Sequence, residues 1–304
     1  MRKIRMKSSQ MKKYMKLVGN VVSALSILFV LSVFVRTDFR FQAVLDWKKF
    51  LFVCIWGIVI KTVTVFLSGS AWATWLSFFA SKRCSKKEAL RVYAKANIGK
   101  YLPGNVMHYV ERNLFAQKLE VPQKRVAASS ICEVATLVLT AFLLGMMFAF
   151  PMIKNAVANQ AVLKVGVFIC CFVVGSLVLI AIVLVILKPE IRRFARTLLC
   201  CMLLYAAVLT GLGFIFVLLY WYQEGPAAPG QAVAMIACYM AAWAVGFVVP
   251  GAPGGIGVRE LALVALLKGF MGRDVIVMLG VWHRLITVIG DMAAYVAALL
   301  LGKG

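Results

Sequence analysis

Acidic side chains are scarce in this chain. The 304 residues include 11 Asp and Glu against 34 Lys and Arg, and charged residues of both signs make up only 15% of the sequence. Soluble globular domains carry about 25% charged residues, so this shortage excludes an ordinary soluble domain. With 63% hydrophobic residues, the composition instead predicts an integral membrane protein.

Histidine is also rare, and His108 and His283 are the only two in the sequence. The 8 cysteines contain no C-x-x-C spacing, and most lie in apolar runs, where a thiol acts as a small packing residue. We therefore expect no metal site, no disulfide and no cofactor. The chain also lacks a Walker motif and a soluble strand before its glycines, which excludes ATP hydrolysis and a dinucleotide fold.

Long apolar runs are abundant. A helix needs about 20 predominantly apolar residues to cross a bilayer, and the sequence contains about seven such runs, within a range of roughly six to eight. We predict an all-α polytopic membrane protein that forms a single membrane domain over residues 1–304. Trp72 and Trp75 are assigned to an interfacial aromatic belt. The predicted helices cover residues 17–35, 50–80, 126–150, 162–187, 198–220, 231–249 and 275–301.

Basic residues fall between these runs in an alternating pattern. Residues 1–16, 82–100 and 188–196 are rich in Lys and Arg, whereas the loop at 223–230 has none. Cytoplasmic loops carry this excess, so the pattern places the N-terminus in the cytoplasm and predicts a retained first helix. The formal charge of +23 is then explained by anionic lipid at the membrane surface, and we expect no nucleic acid partner.

Two stretches interrupt the helical pattern with glycine and proline. They cover residues 97–112, which contain Pro103, and residues 249–270, which contain Pro253. Proline cannot continue a helix, and a broken backbone at membrane depth is tolerated where protein buries it or where it lines a cavity. Both stretches are therefore predicted to be re-entrant segments. Each has an acid–base pair downstream, which suggests an inverted repeat around a transport site.

Charged residues also lie inside the apolar runs. Lys61 is roughly 16 Å along the helix axis from Phe50, a long way for its amine to reach the headgroups. It either meets a buried partner or ligand, or extends its side chain to the interface. Glu133 is either a helix-end acid that Arg125 neutralises or a functional residue inside the membrane.

The last run carries the most informative charges. Arg284, Thr287 and Asp291 follow at i, i+3 and i+7, which places them on one helix face. Charges in mid-membrane are costly, so this face is predicted to look into the bundle. There Arg284 and Asp291 either neutralise each other or pair with Glu260 and Lys61.

Three motifs occur in order along the chain: Gly99-Lys100-Tyr101-Leu102-Pro103-Gly104, then Pro253-Gly254-Gly255-Ile256-Gly257-Val258-Arg259-Glu260, then Arg284-Leu285-Ile286. Together they resemble the lysylphosphatidylglycerol synthase transmembrane region family, the flippase-like membrane domain of the bacterial multiple peptide resistance factor. The resemblance covers nearly the whole chain. It implies a multi-pass protein of the bacterial inner membrane that moves or handles lipid headgroups.

The preferred hypothesis is a flippase for a phospholipid or a lipid-linked headgroup, such as an aminoacyl-phosphatidylglycerol-like lipid. The full-length factor carries a soluble aminoacyltransferase domain, and we expect this chain, which stops at Gly304, to lack that chemistry. An enzyme is therefore not favoured. The alternatives are a subunit related to phosphatidylglycerol lysyltransferase, a membrane partner of a polysaccharide or glycolipid glycosyltransferase, and a structural membrane protein.

The candidate site gathers the buried charges and the broken segments around one intramembrane cavity. A half-helix after the glycines offers free N–H groups and its positive dipole end to a phosphate. Basic side chains add charge, and carboxylates meet an amine or sugar of the same headgroup or titrate protons. The predicted translocation residues are Lys61, Lys100, Tyr101, Pro103, Gly104, Glu111, Arg112, Glu133, Pro253, Gly254, Gly255, Gly257, Arg259, Glu260, Arg284 and Asp291.

Overall fold

A computed structural model of the chain describes residues 46–80, 85–101, 107–156, 189–248 and 257–301, with the backbone alone for residues 118, 146–156 and 248. Every regular element in these ranges is a helix, which confirms the all-α prediction for the described part of the chain. The basic residues 1–16 and the predicted helices at 17–35 and 162–187 lie outside the described residues.

The described part of the chain contains eight α-helices and two 3₁₀ helices. They are α1 (Trp47–Phe79), α2 (Lys86–Ala96), a 3₁₀ helix (Asn97–Tyr101), α3 (Met107–Phe115), a second 3₁₀ helix (Ala116–Leu119), α4 (Gln123–Ala156), α5 (Pro189–Glu224), α6 (Pro229–Val248), α7 (Val258–Leu267) and α8 (Arg273–Leu300). Five of them, α1, α4, α5, α6 and α8, are long and apolar enough to cross a membrane. The protein is therefore a multi-pass membrane protein, while the total of about seven spans stays a prediction.

Apolar runs located most of these helices closely. The predictions for α1, α6 and α8 agree with the structure to within 3 residues at either end. The prediction for α5 was too short, because that helix begins at Pro189 instead of residue 198. Proline suits the first helical position, and the Glu and Arg residues that follow it are good helix formers although they are not apolar.

Helix α1 packs lengthwise against α5 and α8. Two glycines permit its close approach to α8. A Cβ at Gly57 would lie 2.7 Å from Cγ2 of Ile286, and a Cβ at Gly290 would lie 2.5 Å from Cγ of Lys61. Small residues at helix contacts let backbones approach in membrane bundles. This contact places Lys61 of α1 directly beside the polar face of α8.

We expect Gly290→Ala to destabilise the protein by about 1–3 kcal/mol, as overpacking does in a dense core. The added methyl would overlap the stem of Lys61, and the carbonyl oxygen of Ile58 lies only 3.2 Å from the same position. Thermal unfolding of the detergent-purified protein measures the loss. Gly230→Ala is the matched control, because Gly230 is exposed in α6 and no described atom would lie within 4 Å of its new methyl. Equal effects of the two substitutions would contradict this account.

Trp72 and Trp75 lie inside the bundle, with exposures of 0% and 1%. The ring of Trp72 packs 6.1 Å from that of Tyr93 in α2, and the ring of Trp75 lies 5.4 Å from that of Phe194 in α5. The prediction of an interfacial belt was therefore wrong. Both rings are buried because α2 and α5 pack over this end of α1.

Only the flanks of the two broken segments are described. In the first, α2 passes directly into the 3₁₀ helix at Asn97–Tyr101, and α3 begins at Met107. In the second, α7 is a helix of 10 residues that begins at Val258. Residues 102–106 and 249–256, where the breaks are predicted, lie outside the described residues. The re-entrant path and the inverted repeat stay predictions.

Candidate functional site

A polar cavity of about 220 Å³ lies among the helices. Its wall includes residues from α1, α2, the Asn97–Tyr101 3₁₀ helix and each of α3 to α8. The structure thus collects in one place charges that the sequence distributes over separate elements. The predicted site residues that line the cavity are Lys61, Lys100, Tyr101, Arg112, Glu133, Arg259, Arg284 and Asp291.

The first group of polar contacts is the Asp291 cluster, formed by Lys61, Asn97, Lys100, Tyr101 and Asp291. Asp291 is completely buried. Its carboxylate lies 2.9 Å from the amine of Lys61 and 2.7 Å from the amine of Lys100. The amide of Asn97 donates a further hydrogen bond of 2.7 Å, and the hydroxyl of Tyr101 donates another. These donors together compensate the burial of a full charge.

A second group, the Glu260 cluster, consists of Tyr239, Arg259, Glu260 and Arg284. The Nε of Arg284 donates to one carboxylate oxygen of Glu260 at 2.6 Å. The backbone N–H of Gly257 donates to the other oxygen at 2.7 Å. Arg259 donates from Nη1 to the hydroxyl of Tyr239 at 2.9 Å. The start of α7 is thereby fastened to α8 by ionic contacts.

These clusters decide between the interpretations of the buried charges. Lys61 is 8% exposed and bonds Asp291. The interpretation that its side chain extends to the membrane interface is therefore wrong, and the prediction of a buried partner is confirmed. Arg284 pairs with Glu260 and Asp291 pairs with Lys61. Because the two acids and two bases pair between different helices, the idea that Arg284 and Asp291 neutralise each other is wrong.

The third group, the Arg112 cluster, combines an ion pair with three aromatic rings. The guanidinium of Arg112 donates to Glu133, which also accepts a hydrogen bond of 3.0 Å from Tyr93. The guanidinium carbon lies 4.2 Å, 5.2 Å and 5.3 Å from the ring centroids of Tyr93, Trp72 and Tyr109. Arginine over aromatic faces gains cation–π energy, most of all where water is excluded.

Glu133 is therefore not a helix-end acid. Helix α4 begins at Gln123, which puts Glu133 about 15 Å along the axis from the start. Its side chain is buried and faces Arg112 of α3. The interpretation that relied on Arg125 at the helix end was wrong, because the ionic partner of Glu133 is Arg112 of α3.

Three ionisable residues of this region, Lys100, His108 and Glu260, lie outside the membrane-spanning helices, and burial affects the pKa of each. Burial lowers the pKa of Lys100 to about 8 against the opposing charge of Asp291, so the amine stays mainly charged at pH 7. Burial lowers the pKa of His108 to about 3, so its ring is neutral. Burial alone would raise the pKa of Glu260, but the charge of Arg284 lowers it. The basic side chains that line the cavity are Lys61, Lys100, Arg112, Arg259 and Arg284, and the acidic ones are Glu133 and Asp291. Glu260 is not a lining residue, but it bonds Arg284, which is.

Other predicted site residues lie elsewhere. Glu111 packs against Gly99, where its Oε2 would be 2.5 Å from an added Cβ, and it is not among the cavity-lining residues. Gly257 gives its N–H to Glu260, so this donor of the half-helix is satisfied within the protein instead of being offered to a phosphate. The predicted site residues outside the described ranges are Pro103, Gly104, Pro253, Gly254 and Gly255.

Sequence reasoning missed several polar partners of these charges. Tyr93 lies in the basic segment at residues 82–100, which is typical of a cytoplasmic loop, and Asn97 is the first residue of the broken stretch at residues 97–112. Asn97 precedes Lys100 by one helical turn, a spacing that brings side chains together and was the available signal. Tyr239 lies in an apolar run, and a buried tyrosine hydroxyl usually needs a polar partner. That need predicts a polar neighbour without saying which one.

The arrangement is suited to holding an anion. Each cation that lines the cavity stands near a carboxylate or an aromatic hydroxyl of the protein, so an incoming anion exchanges partners instead of meeting bare charge. Such exchange limits the cost of keeping ionic groups within a membrane. Comparisons with protein-family models and with curated proteins find no match for this sequence.

Proposed function

We propose that this protein moves a phospholipid or a lipid-linked headgroup across the membrane through the charged cavity. The observation that carries the proposal is the meeting of three buried ionic clusters in one cavity among helices of membrane-spanning length. Intramembrane ionisable groups are expensive, and they commonly mark substrate or ion pathways. A packing role needs no cavity beside these charges.

In the proposed mechanism, the phosphate of the headgroup replaces the protein carboxylates as the partner of the basic side chains. Lys61, Lys100, Arg259 and Arg284 provide donors for phosphate oxygens, while Asp291 and Glu260 hold those donors in place when no headgroup is bound. The polar headgroup occupies the cavity, and the acyl or prenyl tails stay in lipid. Arginine supplies a planar array of donors that matches phosphate oxygens, and lysine supplies point charge.

The motifs around Lys100, Gly257 and Arg284 support the same proposal through their resemblance to a flippase-like family. The resemblance favours a bacterial inner membrane as its location, and the distribution of basic residues favours a cytoplasmic N-terminus. A synthase or a glycosyltransferase that supplies the lipid is the expected enzymatic partner.

The direct test is reconstitution into vesicles with anionic lipids that are labelled on an acyl chain, with the accessibility of their headgroups as the readout. We expect the wild type to speed the exchange between leaflets, and Arg259→Ala and Glu260→Gln each to slow it by about tenfold or more, the effect of losing one charge-assisted contact. Lys268→Gln is the control, because Lys268 is exposed after α7 and does not line the cavity. Equal movement in protein-free vesicles and in vesicles with wild type would refute the proposal.

A structural role makes a different prediction. If the charges only hold helices together, Arg259→Ala and Glu260→Gln should leave lipid movement intact wherever the protein folds. Size-exclusion chromatography and melting temperature in detergent separate folding from movement. Slow movement by a well-folded variant is the result that we expect.

A further inference from the structure

The cavity carries more positive than negative charge. Among the described residues, five basic and two acidic side chains line it, and Glu260 adds a third carboxylate because it bonds Arg284 of the lining, so the net charge of the group is +2. The surplus is not spread evenly over the three clusters. The Arg112 cluster is balanced, with one arginine and one glutamate. The Asp291 cluster contains two lysines for one aspartate, and the Glu260 cluster contains two arginines for one glutamate.

The two positive clusters share one cavity. Lys61 and Lys100 of the first cluster and Arg259 and Arg284 of the second all line the same cavity of about 220 Å³. A single monovalent anion would compensate only part of this surplus. An anion with two negative charges, in contact with both clusters, would compensate all of it.

The size of the cavity restricts the ligand further. Pockets for drug-sized ligands have volumes of about 300–1,000 Å³. The cavity here, at about 220 Å³, is smaller. It suits a phosphate or pyrophosphate group better than a phosphate that carries a lysyl group or an oligosaccharide.

Two buried polar atoms of cavity-lining residues are without a hydrogen-bond partner among the described residues, which favours a small polar ligand. They are the Nε of Arg112 and the Nδ1 of His108. Buried polar atoms in proteins are nearly always satisfied, by protein, water or ligand. A phosphate oxygen is an acceptor for the arginine donor.

We infer that the cavity selects a lipid whose headgroup is a terminal phosphate or a pyrophosphate, with two negative charges, over a lipid with a monoanionic phosphodiester. The inference rests on the proposed function for its lipid, and it narrows the substrate class. A phosphomonoester carries about −1.5 to −2 charges at pH 7. It offers one charge to each of the two positive clusters.

A binding assay tests this selectivity without any need for transport. Detergent-solubilised protein is titrated with phosphatidic acid and with phosphatidylmethanol, which have the same acyl chains but a phosphomonoester and a methyl phosphodiester. Melting temperature reports binding. We expect phosphatidic acid to bind at least about tenfold more tightly, the effect of one added charge-assisted hydrogen bond. Equal affinities would overturn the inference.

Charge-removing variants locate the selectivity. Arg259→Gln and Lys100→Gln each remove one positive charge from a different cluster, and each should reduce the preference for phosphatidic acid to about twofold or less. The exposed control Lys268→Gln should keep the full preference. If either folded cavity variant retains the full preference, the assignment to these clusters is overturned. Two sites in separate elements ensure that one poorly folded variant does not end the test.

Two further measurements distinguish a failure of this inference from a failure of the proposed function. Inorganic phosphate or pyrophosphate that stabilises the protein as strongly as phosphatidic acid would reassign the cavity to a soluble anion and overturn the inference. In vesicles, movement of both lipids at one rate would retain the proposed function and overturn the selectivity. Preferential binding of phosphatidic acid without movement would retain the selectivity and overturn the proposed function.

Discussion

Asp291→Asn is expected to destabilise the protein by about 3–5 kcal/mol, the usual loss when one partner of a buried ion pair is removed. The substitution leaves the amines of Lys61 and Lys100 together without the carboxylate that both contact. It also weakens acceptance from Asn97 and Tyr101, which bond the same carboxylate. The melting temperature in detergent should fall by roughly 10 °C for a protein of this size.

A compensating variant checks the electrostatic cause. Lys61→Met/Asp291→Asn leaves one cation in the cluster and restores its wild-type charge of one net positive. We expect this double variant to recover at least half of the lost stability, because the repulsion between two uncompensated amines is gone. Lys61 contacts Asp291 directly, so the two substitutions should couple. Strict additivity of the two effects would mean that the loss comes from shape and not from charge.

Glu133→Gln is expected to produce a loss of similar size, again about 3–5 kcal/mol, because it leaves the guanidinium of Arg112 without its ionic partner. Arg112 is 1% exposed, and the rings of Trp72, Tyr93 and Tyr109 surround it. Those rings stabilise a cation, but they do not supply the negative charge that the carboxylate provides. The melting temperature of the purified variant measures the effect.

The paired control is Arg112→Met/Glu133→Leu, which removes both charges at once. Replacement of a buried ion pair by apolar residues is often neutral or stabilising, so we expect this double variant to melt above Glu133→Gln. A double variant less stable than Glu133→Gln would show that the aromatic cage requires its cation. Glu133→Gln with wild-type stability would place water or another acceptor beside Arg112.

The sequence predicted individual elements of the site better than their pairing. Apolar run length fixed α1, α6 and α8, and the rule that mid-membrane charges face inward identified Lys61, Arg284 and Asp291 as one neighbourhood. The i, i+7 spacing put the last two on one face but left their partners open. Partner choice depends on how α1 and α7 rotate against α8, and local periodicity contains no such information.

Residues in amphipathic segments were harder to place. Helix α2 is short and basic, a pattern that predicts a cytoplasmic loop, yet Tyr93 donates to Glu133 and packs on Trp72. The same contact buries Trp72, which composition alone favours at an interface. Hydropathy measures affinity for lipid, and it cannot distinguish burial against lipid from burial against another helix.

The internal pairing of the cavity charges has a consequence for how the protein responds to ionic strength. Mobile counterions screen exposed charges within about 10 Å at 0.1 M salt, but they screen buried pairs much less. The carboxylates Glu133, Glu260 and Asp291 are all less than 9% exposed and therefore keep their partners in concentrated electrolyte. Salt should thus weaken the attraction of the basic loops to anionic lipid while the cavity holds its shape.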